Sequence, residues 1–117
     1  MTTVEVDAGA CGFVTRLRAA LHADGEVSLH GVSKCPRVQA YLAGLQVVDV
    51  SSALGRCCLE KIFEPAAQVG LHPACLVPVG VIRAVEIAAG LALPRQASIR
   101  FWDDSRVHWD EEVSAVG

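Results

Sequence analysis

Along the first third of the chain, apolar and polar positions alternate with a period of two. Val4-Glu5-Val6-Asp7 starts the pattern, and Phe13 to Leu21 carries it without a break. Phe13, Thr15, Leu17, Ala19 and Leu21 fall on one face, with Arg16, Arg18 and His22 on or near the other. Successive side chains of a strand point to opposite faces, so this stretch reads as a half-buried strand with a solvated side. Between the two runs, Ala8-Gly9-Ala10-Cys11-Gly12 supplies small residues and two glycines, which predicts a turn. Asp24-Gly25 predicts a hairpin turn. Glu26 to Val32 then alternates again, with Val27 and Leu29 inward and Ser28 and His30 outward. The first third is expected to be a three-stranded antiparallel meander.

The period changes at Ser33. Pro36 suits a first helical position, which makes Cys35 the expected N-cap, and Val38, Tyr41, Leu42 and Leu45 recur at helical spacing. Asp49 to Leu54 predicts a second short helix, capped by Asp49 or Ser51. Gly55 to Ala66 fits a loop followed by a helical turn. Gly70-Leu71-His72-Pro73 breaks the chain, and Ala74-Cys75-Leu76-Val77-Pro78 leads into the longest predicted helix, Val79 to Leu91. Arg83 and Glu86 are its only charges and sit at i, i+3, where an ion pair is expected. A helix apolar almost all round is normally enclosed on several sides; here that means lying across the sheet and against a second subunit. Pro94 ends the helix. Ala97 to Trp102 alternates once more and predicts a fourth strand, and the acidic tail 103–117 is expected to be mobile. The order β-β-β-α-α-α-β describes an α+β fold, a two-layer sandwich of one sheet and one helical layer, with residues 1–117 forming one domain.

Composition narrows the function classes. Of 117 residues, 52 % are hydrophobic and 20 % charged, which supplies enough apolar surface to exclude a disordered chain. A net charge of −3, with lysine only at Lys34 and Lys61, argues against a nucleic-acid partner. No apolar run reaches the about 18 residues that a bilayer crossing needs. Met1 to Asp7 has neither a basic leader nor an apolar core, so no secretory signal is expected and a cytoplasmic location follows. In a reducing compartment the five cysteines serve as buried fillers, metal ligands or reactive thiols, since structural disulfides are rare there.

Three cysteines share a setting. Cys11 lies in the glycine-rich turn, Cys35 at the start of a helix just before Pro36, and Cys75 in the Pro-bounded approach to the long helix. Free N–H groups at a helix start favour thiolate over thiol, and Lys34 and Arg37 flank Cys35. If the turn and both helix starts meet at one end of the layer, three thiolates converge with an open position, a set suited to an iron–sulfur cluster or a soft metal ion such as zinc. The spacing matches no local metal motif, so convergence is an expectation about the fold, and packed cysteines are the competing reading. His72, three residues before Cys75, is either a fourth ligand, a general base or a solvated loop residue. Cys57 and Cys58 are adjacent, too close along the chain for an unstrained bridge to one another; one of them as a fourth ligand is an alternative, and buried filler is the simpler reading. Asp7 reads as the start of an Asx turn. His22, His30 and His108 read as surface residues.

The stretches Asp7-Ala8-Gly9-Ala10-Cys11-Gly12-Phe13-Val14-Thr15, Ser33-Lys34-Cys35 and Ala74-Cys75-Leu76-Val77-Pro78 resemble motifs of an uncharacterised family of small proteins. Ala84-Val85-Glu86-Ile87-Ala88-Ala89-Gly90-Leu91-Ala92-Leu93-Pro94 extends the likeness, which spans about residues 4 to 101. The resemblance implies that Cys11, Cys35 and Cys75 are the shared cysteines and that Cys57 and Cys58 are not. It also implies a distribution mainly in anaerobic archaea and bacteria, a setting that suits an oxygen-sensitive cluster. It carries no activity.

The leading expectation is therefore a small cytosolic protein that binds an iron–sulfur cluster or soft metal ion through Cys11, Cys35 and Cys75, as carrier, sensor or electron-transfer accessory. Two alternatives stand beside it. One is a cofactor-free interaction module that forms a homodimer through the apolar long helix. The other is an enzyme with Cys35 or Cys75 as nucleophile and His72 as base.

Overall fold

The alternating runs form the expected meander. In the computed structural model, which describes residues 1–103 and 105, β1 (Thr2–Asp7), β2 (Val14–Leu21) and β3 (Glu26–Val32) pair antiparallel in sequence order. Thr15, Leu17 and Ala19 are buried on one face of β2, whereas Arg16 and Arg18 are exposed on the other. Phe13, just before β2, and Leu21, its last residue, share the inward parity but are 36 % and 47 % exposed.

The fourth strand is not the predicted one. It is β4 (Val47–Asp49), which adds to β3 through the pairs Glu26↔Asp49, Val27↔Val48 and Ser28↔Val47. Ala97 to Trp102 carries no strand pairing. The sheet order is β1-β2-β3-β4.

The helices cover one face of this sheet. α1 (Pro36–Ala43) begins at the proline that fixes its first-turn φ and packs over β3. α2 (Val50–Leu54) follows β4 directly, capped by the Asp49 carboxylate, which accepts from the Ser52 N–H at 3.3 Å. The stretch from Gly55 resolves into a π-helical turn, Leu59–Phe63, that buries Ile62 and runs into α3 (Glu64–Gln68). The longest helix, α4, spans Val77–Ala88 and packs on β1 and β2. Val77, Pro78, Gly80, Val81, Ala84 and Val85 are buried by sheet, α2 and the π turn, so the apolar character of α4 is largely satisfied within one chain. The Arg83–Glu86 pair does not form; Arg83 donates instead to the Arg95 carbonyl at 3.1 Å. Among the described residues the only ion pair is Arg16–Glu5, at 3.2 Å on the open face of the sheet.

The fold is α+β, a four-stranded antiparallel sheet under one helical layer. Leu17, Val27, Ile62, Val81 and Val85 form the centre of its core with no exposed surface. No helix among the described residues is long and apolar enough to cross a membrane. The acidic tail expected at 103–117, His108 included, lies outside the described residues apart from 103 and 105.

Candidate functional site

The strand register decides which loops share an end of the molecule. Asp7 pairs with Val14 and Arg16 with Val32. The end of β1, the start of β2 and the end of β3 therefore lie at one pole. The β1–β2 turn and the entry to α1 must both sit there.

The turn is built by its small residues. Asp7 Oδ1 accepts from the Gly9 N–H at 3.0 Å, the Asx turn read from the sequence, and the Gly12 N–H donates to the Gly9 carbonyl at 2.9 Å. Gly9 and Gly12 have φ of 76° and 74°, a region that side-chain-bearing residues rarely enter. Cys11 is exposed at the tip. At the α1 entry, the Ser33 hydroxyl accepts from the Cys35 N–H at 3.2 Å, and the Cys35 carbonyl accepts from the Gln39 N–H at 3.0 Å. This places Cys35 at the N-cap of α1 with its thiol half-buried. The third junction is the loop before α4, where the Cys75 N–H donates to the His72 carbonyl at 3.1 Å and closes a turn around Pro73-Ala74. Arg37 ties this loop to α1 by donating to the Gly70 carbonyl at 3.1 Å.

These three junctions enclose one cavity of ≈ 340 Å³, and Cys11, Cys35, Cys75 and His72 all line it. The fold thus brings the three cysteines to the lining of one cavity. Phe13, Val38, Leu71 and Val77 supply apolar wall, and Arg37 is the only fixed charge in the lining. Thr15, a wall residue that sequence reasoning treated only as an inward strand position, is buried at 2 % exposure. Its signal in the sequence is a lone hydroxyl in the inward series Thr15, Leu17, Ala19. The three thiols ring the cavity without closing on a point: among the described residues, no three His, Cys, Asp or Glu side chains are grouped tightly enough to hold a single metal ion.

Behind Cys75 lies Tyr41, buried, with its hydroxyl donating to the Ile62 carbonyl at 2.8 Å. Burial pushes its phenol well above the ordinary value of 10.0, and negative charge on Cys75 adds in the same direction. In the unfolded chain this phenol ionises near pH 10, while in the folded chain it stays protonated. The folded state then binds more protons, so stability is intact below pH 10 and falls above it, by up to about 1.4 kcal/mol per pH unit. Denaturant melts between pH 8 and pH 11 are expected to show this loss, and Tyr41→Phe to remove most of its slope. An identical slope in both proteins contradicts the assignment.

The remaining residues singled out from the sequence lie elsewhere. Cys57 is exposed, and Cys58 lines a second cavity of ≈ 310 Å³ with Glu86 and Leu91, beside the C-terminal half of α4. Neither lines the three-cysteine cavity. His22 is exposed and lies 3.0 Å from the Ser28 hydroxyl, and His30 is exposed on the open sheet face.

The model of DUF6951, a family of unknown function, matches residues 2–101. The chain belongs to that family. The match takes in every strand and helix of this DUF6951 protein, all three junctions of the cavity, and the extended segment after α4. No curated protein and no solved structure matches the chain.

Proposed function

We propose that the three-cysteine cavity of this DUF6951 protein is a cofactor site in which Cys11, Cys35 and Cys75 hold an iron–sulfur cluster, and that the protein serves as a cytosolic carrier, sensor or electron-transfer accessory. The observation that carries this reading is that three thiols from three separate chain junctions line one cavity. All five cysteines are free, as cluster ligands require before loading.

The donor set suits a cluster better than a lone ion. A single zinc ion needs its sulfurs within one tight shell, about 2.3 Å from the metal, and no such group exists among the described residues. In a [4Fe–4S] cluster each thiolate binds a different iron, so the ligating sulfurs stand around a space rather than a point. A volume of ≈ 340 Å³ leaves that space, about that of ten water molecules at ~30 Å³ each. A cluster with three thiolates is anionic, and a lining with Arg37 and no carboxylate favours an anion. His72, exposed and in the lining of the same cavity, is the fourth ligand of this proposal.

Anaerobic reconstitution with ferrous iron and sulfide tests the reading. A brown protein with about three to four irons per chain after desalting is the expected result. A colourless protein retaining less than about a tenth of an iron per chain, both as isolated and after reconstitution, overturns it. The second reading draws on the turn that joins His72 to Cys75: a cysteine nucleophile with a histidine base. A colourless protein in which one cavity thiol is alkylated far faster than the others near pH 7 favours that reading instead.

A further inference from the structure

The segment Ala97–Trp102 has a strand's pattern and no strand to pair with. Ile99 and Phe101 alternate with Ser98 and Arg100, yet Ile99 is 83 % and Phe101 95 % exposed, with Trp102 at 59 %. The family match runs through residue 101 and so takes in this stretch up to Phe101. The sheet also has an unmatched edge. Among the described residues β1 pairs only with β2, and its outer side has no neighbour in the strand order β1-β2-β3-β4. β1 is six residues long, whereas β4 at the opposite edge has only three. An exposed edge strand is a template for a further strand.

We infer that Ala97–Trp102 of one copy adds antiparallel to β1 of a second copy, and that the exchange is reciprocal, giving a two-fold dimer. Side-chain chemistry fixes the register. Phe101 opposite Val4 and Ile99 opposite Val6 place both apolar residues on the face that the helices cover. Arg100 then faces Glu5, and Ser98 faces Asp7. The open face of β1 carries Glu5 and Asp7, so the arriving Arg100 meets opposite charge. Glu5 already accepts from Arg16 at 3.2 Å, and the exchange sets its carboxylate between two guanidinium groups. Among the described residues of one chain the segment and the edge are both unpaired, while a second copy satisfies both at once. The inference does not depend on the cavity or its cofactor.

Light scattering on the full chain at about 100 µM tests it, within the affinity range of transient interfaces. The expected mass is twice 12.4 kDa. Arg100→Glu and Glu5→Arg are each expected to weaken the dimer about tenfold or more through like charge across the new pair, and the two together to restore it. Ile99→Asp with Phe101→Asp is expected to give a monomer with an unchanged melting midpoint, because both side chains are solvated in the single chain. A wild-type monomer at this concentration overturns the inference. So does a dimer that persists in the doubly aspartate-substituted protein, or charge swaps whose combination fails to rescue.

Discussion

Serine in place of Cys11, Cys35 or Cys75 is expected to lower the iron retained after reconstitution by about tenfold or more for each single substitution, whereas serine at Cys57 or Cys58 leaves it unchanged. The change from sulfur to oxygen removes one atom of polarisable donor and adds no bulk. A serine hydroxyl does not ionise near neutral pH, so one of three anchors is lost outright. None of the three thiols is fully buried, and none lies among the fully buried core residues, so folding should survive each change. The contrast with Cys57 and Cys58 is the discriminating part, because those two lie away from the cavity. Iron and sulfide analysis after desalting, with circular dichroism as the control for folding, reads both. Equal losses at all five positions mean that iron binds as adventitious thiolate complexes; no loss at any of the three removes them from the site.

Valine at Gly80 is expected to destabilise the fold by about 1–3 kcal/mol. α4 approaches the sheet so closely that a Cβ on Gly80 runs into the Val6 Cγ2 methyl, with a Leu17 methyl 3.6 Å away. Val6 and Leu17 are themselves buried at 7 % and 0 % exposure and have little room to withdraw. The gain in helix propensity on leaving glycine is only about 0.4 kcal/mol and does not offset the overlap. α4 must therefore lift from β1 and β2. Cys75 lies just before the first turn of α4, so the same displacement separates its thiol from Cys11 and Cys35. Loss of stability and loss of iron loading should then go together. Valine to threonine at Val79, one position away but 48 % exposed, is expected to change neither by a measurable amount. Urea melts read the stability term, and wild-type stability in the Gly80→Val protein contradicts the close packing.

The meander was legible because its period is strict and its turns are short. Thr15, Leu17 and Ala19 could face only one way once Arg16 and Arg18 faced the other. α1 was legible from Pro36, and the long helix from its unbroken apolar run. β4 was not, since three residues are too few to show a period, and Val47-Val48 between two helices has no polar partner to alternate with. Ala97–Trp102 misled in the opposite direction: alternation announces a strand but says nothing about whether an edge is within reach. The fate of Arg83 was also hidden, because a carbonyl twelve residues away outcompetes a carboxylate on the adjacent turn. For the site, each cysteine's local setting could be read, but the shared cavity depended on the strand register, which sets Asp7, Val14 and Val32 at one end. Arg37 and Thr15 joined the lining through that same geometry.

A peptide cut from around any one of the three junctions contains a thiol but no cup to place it in. The ring of sulfur exists only while hairpin, N-cap and loop are held together by the intact core. An occupant held by all three cysteines would fasten the two halves of the chain to each other, and its departure would be felt first as local breathing at that pole, long before the far rim of the sheet loosens.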